Sequence, residues 1–127
     1  MNWFLTDEAD RNYSIAVFDA LGSREILVPS LWIYEVSNVL LVAHRRSRIP
    51  KERIEDILQI VIGFNLRIDA VTAGLALDLS RLGLQYGLTV YDAAYLDLAI
   101  RVGAPIATKD KALLSAMAAV NVPLVTV

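Results

Sequence analysis

The sequence predicts an α/β domain in three layers, a parallel sheet flanked by helices on both faces. Two observations predict it. Short apolar segments alternate with helical ones along the whole chain, and the strand segments lack the in–out alternation of a half-wet antiparallel sheet. A third bounds the size: 127 residues, 56% hydrophobic and 20% charged, are enough for one packed domain and too apolar for a disordered chain. The expected unit is therefore a single domain over residues 1–127.

The elements follow in order. Asp7 to Leu21 reads as a helix, with Asp7, Glu8 and Asp10 near its electropositive start and Gly22 at its end. Glu25-Ile26-Leu27-Val28-Pro29 is a strand closed by proline. Ser30 is placed to cap a long helix to about His44, apolar nearly all round and so expected to be mostly buried. Pro50 marks the start of a helix to about Phe64. Leu66 to Val71 is a strand, and Thr72 caps a helix to about Tyr86, closed by Gly87. Thr89 caps another to about Val102, closed by Gly103. Pro105 to Thr108 is a strand, Asp110 caps a helix to about Val120, and Pro123 to Val127 is the last strand.

Net charge is −2, from 12 basic and 14 acidic residues, so nucleic-acid binding would need a local patch or metal ions rather than a basic coat. No cysteine is present and His44 is the only histidine, which leaves a donor set unsuited to zinc. Apolar runs are interrupted well before the ~20 residues of a membrane span, and Met1-Asn2-Trp3-Phe4-Leu5 has no basic lead-in of a signal peptide. A cytoplasmic protein without membrane attachment is expected.

Three acids break the pattern of charge on the wet face. Glu35 lies in an apolar helix with Asn38 three residues on, on the same face and with no Lys or Arg within a turn. A partly exposed glutamate near a helix start would look the same. Asp92 stands third after Thr89, which also fits a capping box. Asp97 points about 140° away from it on the same helix. Asp110 follows a strand's carboxyl end, where open α/β sheets gather function, and also fits an ordinary cap. Together they are more telling. Carboxylates brought close repel unless a cation neutralises them, and hard oxygen ligands select Mg²⁺ or Mn²⁺.

The segments Val28-Pro29-Ser30-Leu31-Trp32 with Glu35-Val36 and Asn38, Thr89-Val90-Tyr91-Asp92-Ala93-Ala94-Tyr95-Leu96, and Pro105-Ile106-Ala107-Thr108-Lys109-Asp110 occur in that order. Trp3-Phe4-Leu5-Thr6-Asp7-Glu8 precedes them. In this the chain resembles the PIN-domain nucleases, especially the toxin ribonucleases of the VapBC kind, over essentially its whole length. The resemblance implies metal-assisted hydrolysis of single-stranded or looped RNA. It implies that Glu35, Asp92 and Asp110 hold Mg²⁺ or Mn²⁺, directly or through water, with Asn38 and Thr108 orienting ligands or water from behind. It also implies a homodimer and a cognate antitoxin that covers the site. The family opens with a short strand ending in an aspartate. This sequence starts after that point, and Asp7 matches a later acidic pair, so the 127 residues as written are expected to have little or no activity. Equal cleavage with and without an upstream extension would overturn that expectation.

Arg45, Arg46 and Arg48 form the main basic cluster with Lys51 and Arg53. It is either a solvated helix end or a contact for RNA phosphates or an acidic stretch of antitoxin; Lys109 and Lys111, which flank Asp110, are either solvent-exposed or a further contact for substrate phosphate. Trp3, Phe4, Trp32 and Tyr34 read as core or dimer-interface residues. Two other classes compete: a catalytically inactive remnant that only dimerises or binds an antitoxin, and, last, a phosphatase or receiver domain. The latter would need a strand-terminal aspartate before Pro29.

Overall fold

The structure is a computed structural model that describes residues 24–125. The expected helix Asp7–Leu21, Trp3, Phe4 and the end of the last strand lie outside the described residues. The chain divides into two compact units, Met1–Ile68 with Val127, and Asp69–Thr126. The architecture is mixed α/β, with five helices and a parallel two-stranded sheet among the described residues.

In the first unit, β1 (Ile26–Pro29) pairs with β2 (Leu66–Asp69), and the Ile26 N–H donates to Asn65 O at 2.8 Å. Between them run α1 (Leu31–Arg45) and α2 (Lys51–Ile62). Trp32, Val36, Leu40 and Ala43 make one buried stripe on α1, the spacing a 3.6-residue period requires, and the helix packs on α2 and β1. The expectation that α1 would be mostly buried is corrected here. Ile33 and Leu41 are exposed and Tyr34 is 77% exposed. Apolar composition gave the helix its propensity to bury, but only one stripe meets β1 and α2. Tyr34 is therefore not a core residue, whereas Trp32, 2% exposed, is. Trp32 Nε1 has no hydrogen-bond partner among the described residues. Ser30 stands at the head of α1, but its backbone is already helical (φ −58°, ψ −28°) and its side chain makes no capping bond. A capping side chain normally hangs from an extended residue. Pro50 (φ −72°, ψ 157°) does precede α2 directly.

In the second unit, α3 (Leu75–Tyr86), α4 (Val90–Val102) and α5 (Lys111–Ala119) follow. α4 packs on both α3 and α5, and its Ala93, Ala94, Leu96, Leu98 and Ala99 are buried. Small alanines let neighbouring helices come close, and Leu96 and Leu98 are buried on the same helix. Each such leucine contributes on the order of 1.5–3 kcal/mol. Gly87 and Gly103 end α3 and α4 with φ of +66°, a left-handed conformation that glycine adopts without strain.

Two boundaries differ from expectation. α3 begins at Leu75, not after Thr72. The Thr72 carbonyl accepts from the Leu75 N–H in a turn, and Gly74 holds the cap position without a side chain. Among the described residues, which end at Val125, the strands expected at Pro105–Thr108 and Pro123–Val127 meet in one parallel bridge between Ile106 and Leu124. In it Ile106 N–H donates to Pro123 O at 3.0 Å, and Val125 N–H donates to Ile106 O at 2.9 Å. Prolines 105 and 123 have no N–H to extend the ladder. β2 likewise ends at Asp69, short of Val71.

Candidate active site

Asp92 and Asp110 are placed by the same device. Each stands at the start of a helix in the second unit, and the two helices pack against one another. Thr89 has an extended backbone, and its Oγ1 accepts from the Asp92 N–H at 3.1 Å. This fixes the first turn of α4 and the half-buried Asp92 with it. Asp110 is itself the cap of α5. Its Oδ1 accepts from the Leu113 N–H at 2.8 Å, which leaves Oδ2 outside that bond. The Asp110 N–H in turn donates to Thr108 Oγ1 at 3.1 Å. Thr108, expected to orient a ligand, thus orients the backbone of a candidate ligand. Both acids sit where unsatisfied N–H groups and the helix dipole favour negative charge.

Glu35 is half-buried on α1 in the first unit, and Asn38 on the same helix is exposed. Within neither unit do three His, Asp or Glu side chains among the described residues form a metal-binding group. Arg45, Arg46 and Arg48 are exposed around the end of α1, and Lys109 is exposed beside Asp110.

Asp97 shows what a structural aspartate looks like in this chain. It is 8% exposed, and Arg101 Nε donates to its Oδ2 at 2.8 Å. The same guanidinium forks onto Asp69, Nη1 to Oδ1 at 3.3 Å and Nη2 to Oδ2 at 2.5 Å. The bonds to Asp69, then those to Asp97, hold the Arg101 charge well above arginine's ordinary range, against the opposing cost of burial. A raised folded value means that this stabilisation is complete below the ordinary arginine range and fades only at still higher pH. It is therefore constant across physiological conditions. Sequence reasoning set Asp97 apart from Asp92 by its direction but did not find its partners. The four-residue spacing to Arg101 was a usable signal, whereas Asp69, 32 residues from Arg101, left none.

The candidate residues offer oxygen donors, the ligand type of hard divalent cations. The acids are all carboxylates, the chain has no cysteine, and Nδ1 of its one histidine, His44, is bonded to Ile49 O at 3.0 Å. No helix among the described residues is long and apolar enough to cross a membrane.

The chain belongs to the PIN domain family, whose model matches residues 1–119. It is similar to Ribonuclease VapC3 of Pyrobaculum aerophilum, 31% identical over 103 residues that cover 80% of this chain and 78% of the relative.

Proposed function

We propose that this protein is an endoribonuclease of the VapC kind, the toxin of a type II toxin–antitoxin pair, working with Mg²⁺ or Mn²⁺ on RNA. The observation that carries the reading is the placement of Asp92 and Asp110 at the starts of two packed helices, in a chain of the PIN family. The 31% identity to a named ribonuclease supports the substrate class.

On this reading Asp92, Asp110 and Glu35 are the carboxylates that hold the ion. When bound, such an ion lowers the pKa of a water and offsets charge on the phosphodiester in the transition state. The chain's own residues supply the frame. Thr89 fixes the turn that presents Asp92, Thr108 fixes the backbone of Asp110, and the cap bond to Leu113 leaves Asp110 Oδ2 for a ligand. Asn38 orients a ligand or water near Glu35. Lys109 meets substrate phosphate beside Asp110. A homodimer, a cognate antitoxin and a cytoplasmic location complete the reading, as for the family it resembles.

The test is cleavage of an unstructured RNA by the full-length gene product in Mg²⁺, in Mn²⁺ and in EDTA. Internal cleavage that requires the divalent ion is expected. A protein that leaves RNA intact under both ions would be the inactive, partner-binding form instead.

A further inference from the structure

Residues 45–53 hold five of the chain's 12 lysines and arginines, namely Arg45, Arg46, Arg48, Lys51 and Arg53, beside a single acid, Glu52. Taking these from the totals of 12 and 14 leaves 7 basic residues against 13 acidic ones in the rest of the chain. An acidic protein thus carries one concentrated basic turn, and all five cationic side chains in it are exposed. Arg45, Arg46, Lys51 and Arg53 have no carboxylate partner among the described residues.

The backbone beneath them is stitched. Arg46 N–H donates to Val42 O at 3.0 Å, Ser47 N–H to His44 O at 2.9 Å and Arg48 N–H to Ala43 O at 2.9 Å. His44 Nδ1 donates to Ile49 O at 3.0 Å, and Arg53 N–H donates to Pro50 O at 3.0 Å. Ser47 takes a left-handed φ of 59° to close the turn. The charges are therefore displayed on a fixed frame.

A helix dipole accounts for part of the cluster only. His44 and Arg45 lie in the last turn of α1, where cations are favoured. Lys51 and Arg53 lie in the first turn of α2, where the dipole disfavours them, and five like charges within nine residues repel one another. A stability role explains neither feature. An anionic partner with closely spaced charges explains both. The stretch holds no aromatic residue for base stacking, so the fit is to a phosphate backbone rather than to bases.

We propose that the turn from Arg45 to Arg53 is a sequence-independent docking surface for the phosphodiester backbone of RNA. The proposal rests on the ribonuclease reading for its choice of RNA. It supplies grip to a chain whose net charge would otherwise repel its substrate.

The experiment measures binding of a fluorescent, unstructured RNA oligonucleotide to the full-length protein by anisotropy. It is run in EDTA, so that no cleavage intervenes, across a series of KCl concentrations. Replacing Arg45, Arg46 and Arg48 together by alanine is expected to weaken binding at least about tenfold at low salt. It should also flatten the slope of log affinity against log salt by about 2, since each single-strand phosphate contact contributes roughly 0.7. Replacing the three by lysine should retain most of the affinity and slope, which also separates lost charge from lost fold. Unchanged affinity and slope in the alanine variant, or no RNA binding by the parent at low salt, would overturn the proposal. If the parent cleaves RNA but the alanine variant binds it equally well, the docking surface is wrong and the ribonuclease reading stands. If binding follows the arginines but no divalent ion supports cleavage, the reverse holds. Loss of affinity for an acidic peptide with RNA affinity intact would assign the turn to a protein partner and overturn the proposal.

Discussion

Asp92 and Asp97 stand five residues apart on α4 and meet opposite surroundings. Asp97 is buried mid-helix, and its charge is answered by Arg101, which also grips Asp69. Asp92 is half-buried in the first turn, where the helix end itself is electropositive and Thr89 holds the backbone. One position spends a cationic side chain to keep a carboxylate in the interior. The other stands at a helix start, where backbone dipoles favour negative charge. Asp110 also stands at a helix start, so within one unit Asp92 and Asp110 differ in setting, and in expected role, from the mid-helix Asp97.

The sharpest way to separate these roles is Asp110→Asn in the full-length protein. Asparagine caps a helix about as well as aspartate, so the melting temperature should hold. The negative charge is lost, and electrostatic stabilisation by a metal is worth several kcal/mol, so RNA cleavage should fall at least roughly 100-fold. Equal losses of stability and activity would make Asp110 only a cap.

Next in size is the other side of the comparison. Arg101→Ala strands the Asp97 carboxylate in the interior. Breaking a fully buried pair costs about 3–5 kcal/mol. Arg101 is 43% exposed, so solvent screening reduces the expectation to about 1–3 kcal/mol. Urea denaturation measures it, and a change below about 0.5 kcal/mol would show that the pair is not holding α4.

Gly83→Ala probes the approach to α4. A Cβ at Gly83 would lie 2.9 Å from the Leu88 carbonyl oxygen, so backbone must shift, and a loss of about 1–3 kcal/mol is expected. The usual helix-propensity gain of alanine would appear instead if the helix end can yield. Smallest is Thr89→Ala, which removes the cap bond to Asp92 N–H. It should cost about 1 kcal/mol by thermal melting. It should also raise the Mg²⁺ concentration needed for half-maximal cleavage, because the turn that presents Asp92 loosens. Unaltered metal dependence would mean that Asp92 is held by other contacts.

Much of this was legible in the residues themselves. Gly87 and Gly103 marked two helix ends, and Thr89 and Asp110 marked two starts, because each of these signals acts through its own backbone within a few residues. Ser30 and Thr72 carried the same signal and failed, since the neighbouring backbone turned helical or bent before their side chains could cap. The segments around Ile106 and Leu124 had strand composition, and among the described residues they meet in one bridge, because how far a ladder extends depends on its partner. Exposure was the least legible property. Tyr34 and Leu84 (77% and 88% exposed) look like core residues in one dimension, and only tertiary packing decides which face of a helix is covered. Of the candidate site, the positions of Asp92 and Asp110 at helix starts followed from local rules. The Asp69–Arg101 bond did not, because no local rule spans 32 residues.

Asp92 and Asp110 are proposed to bind a divalent ion, and calorimetric titration of Mn²⁺ into the full-length protein tests this most directly. Saturable binding, lost in the Asp92→Asn, Asp110→Asn double variant while Arg101→Ala retains it, is the predicted result. Identical Mn²⁺ binding by the double variant and its parent would contradict it, as would a parent that shows nothing beyond a salt effect.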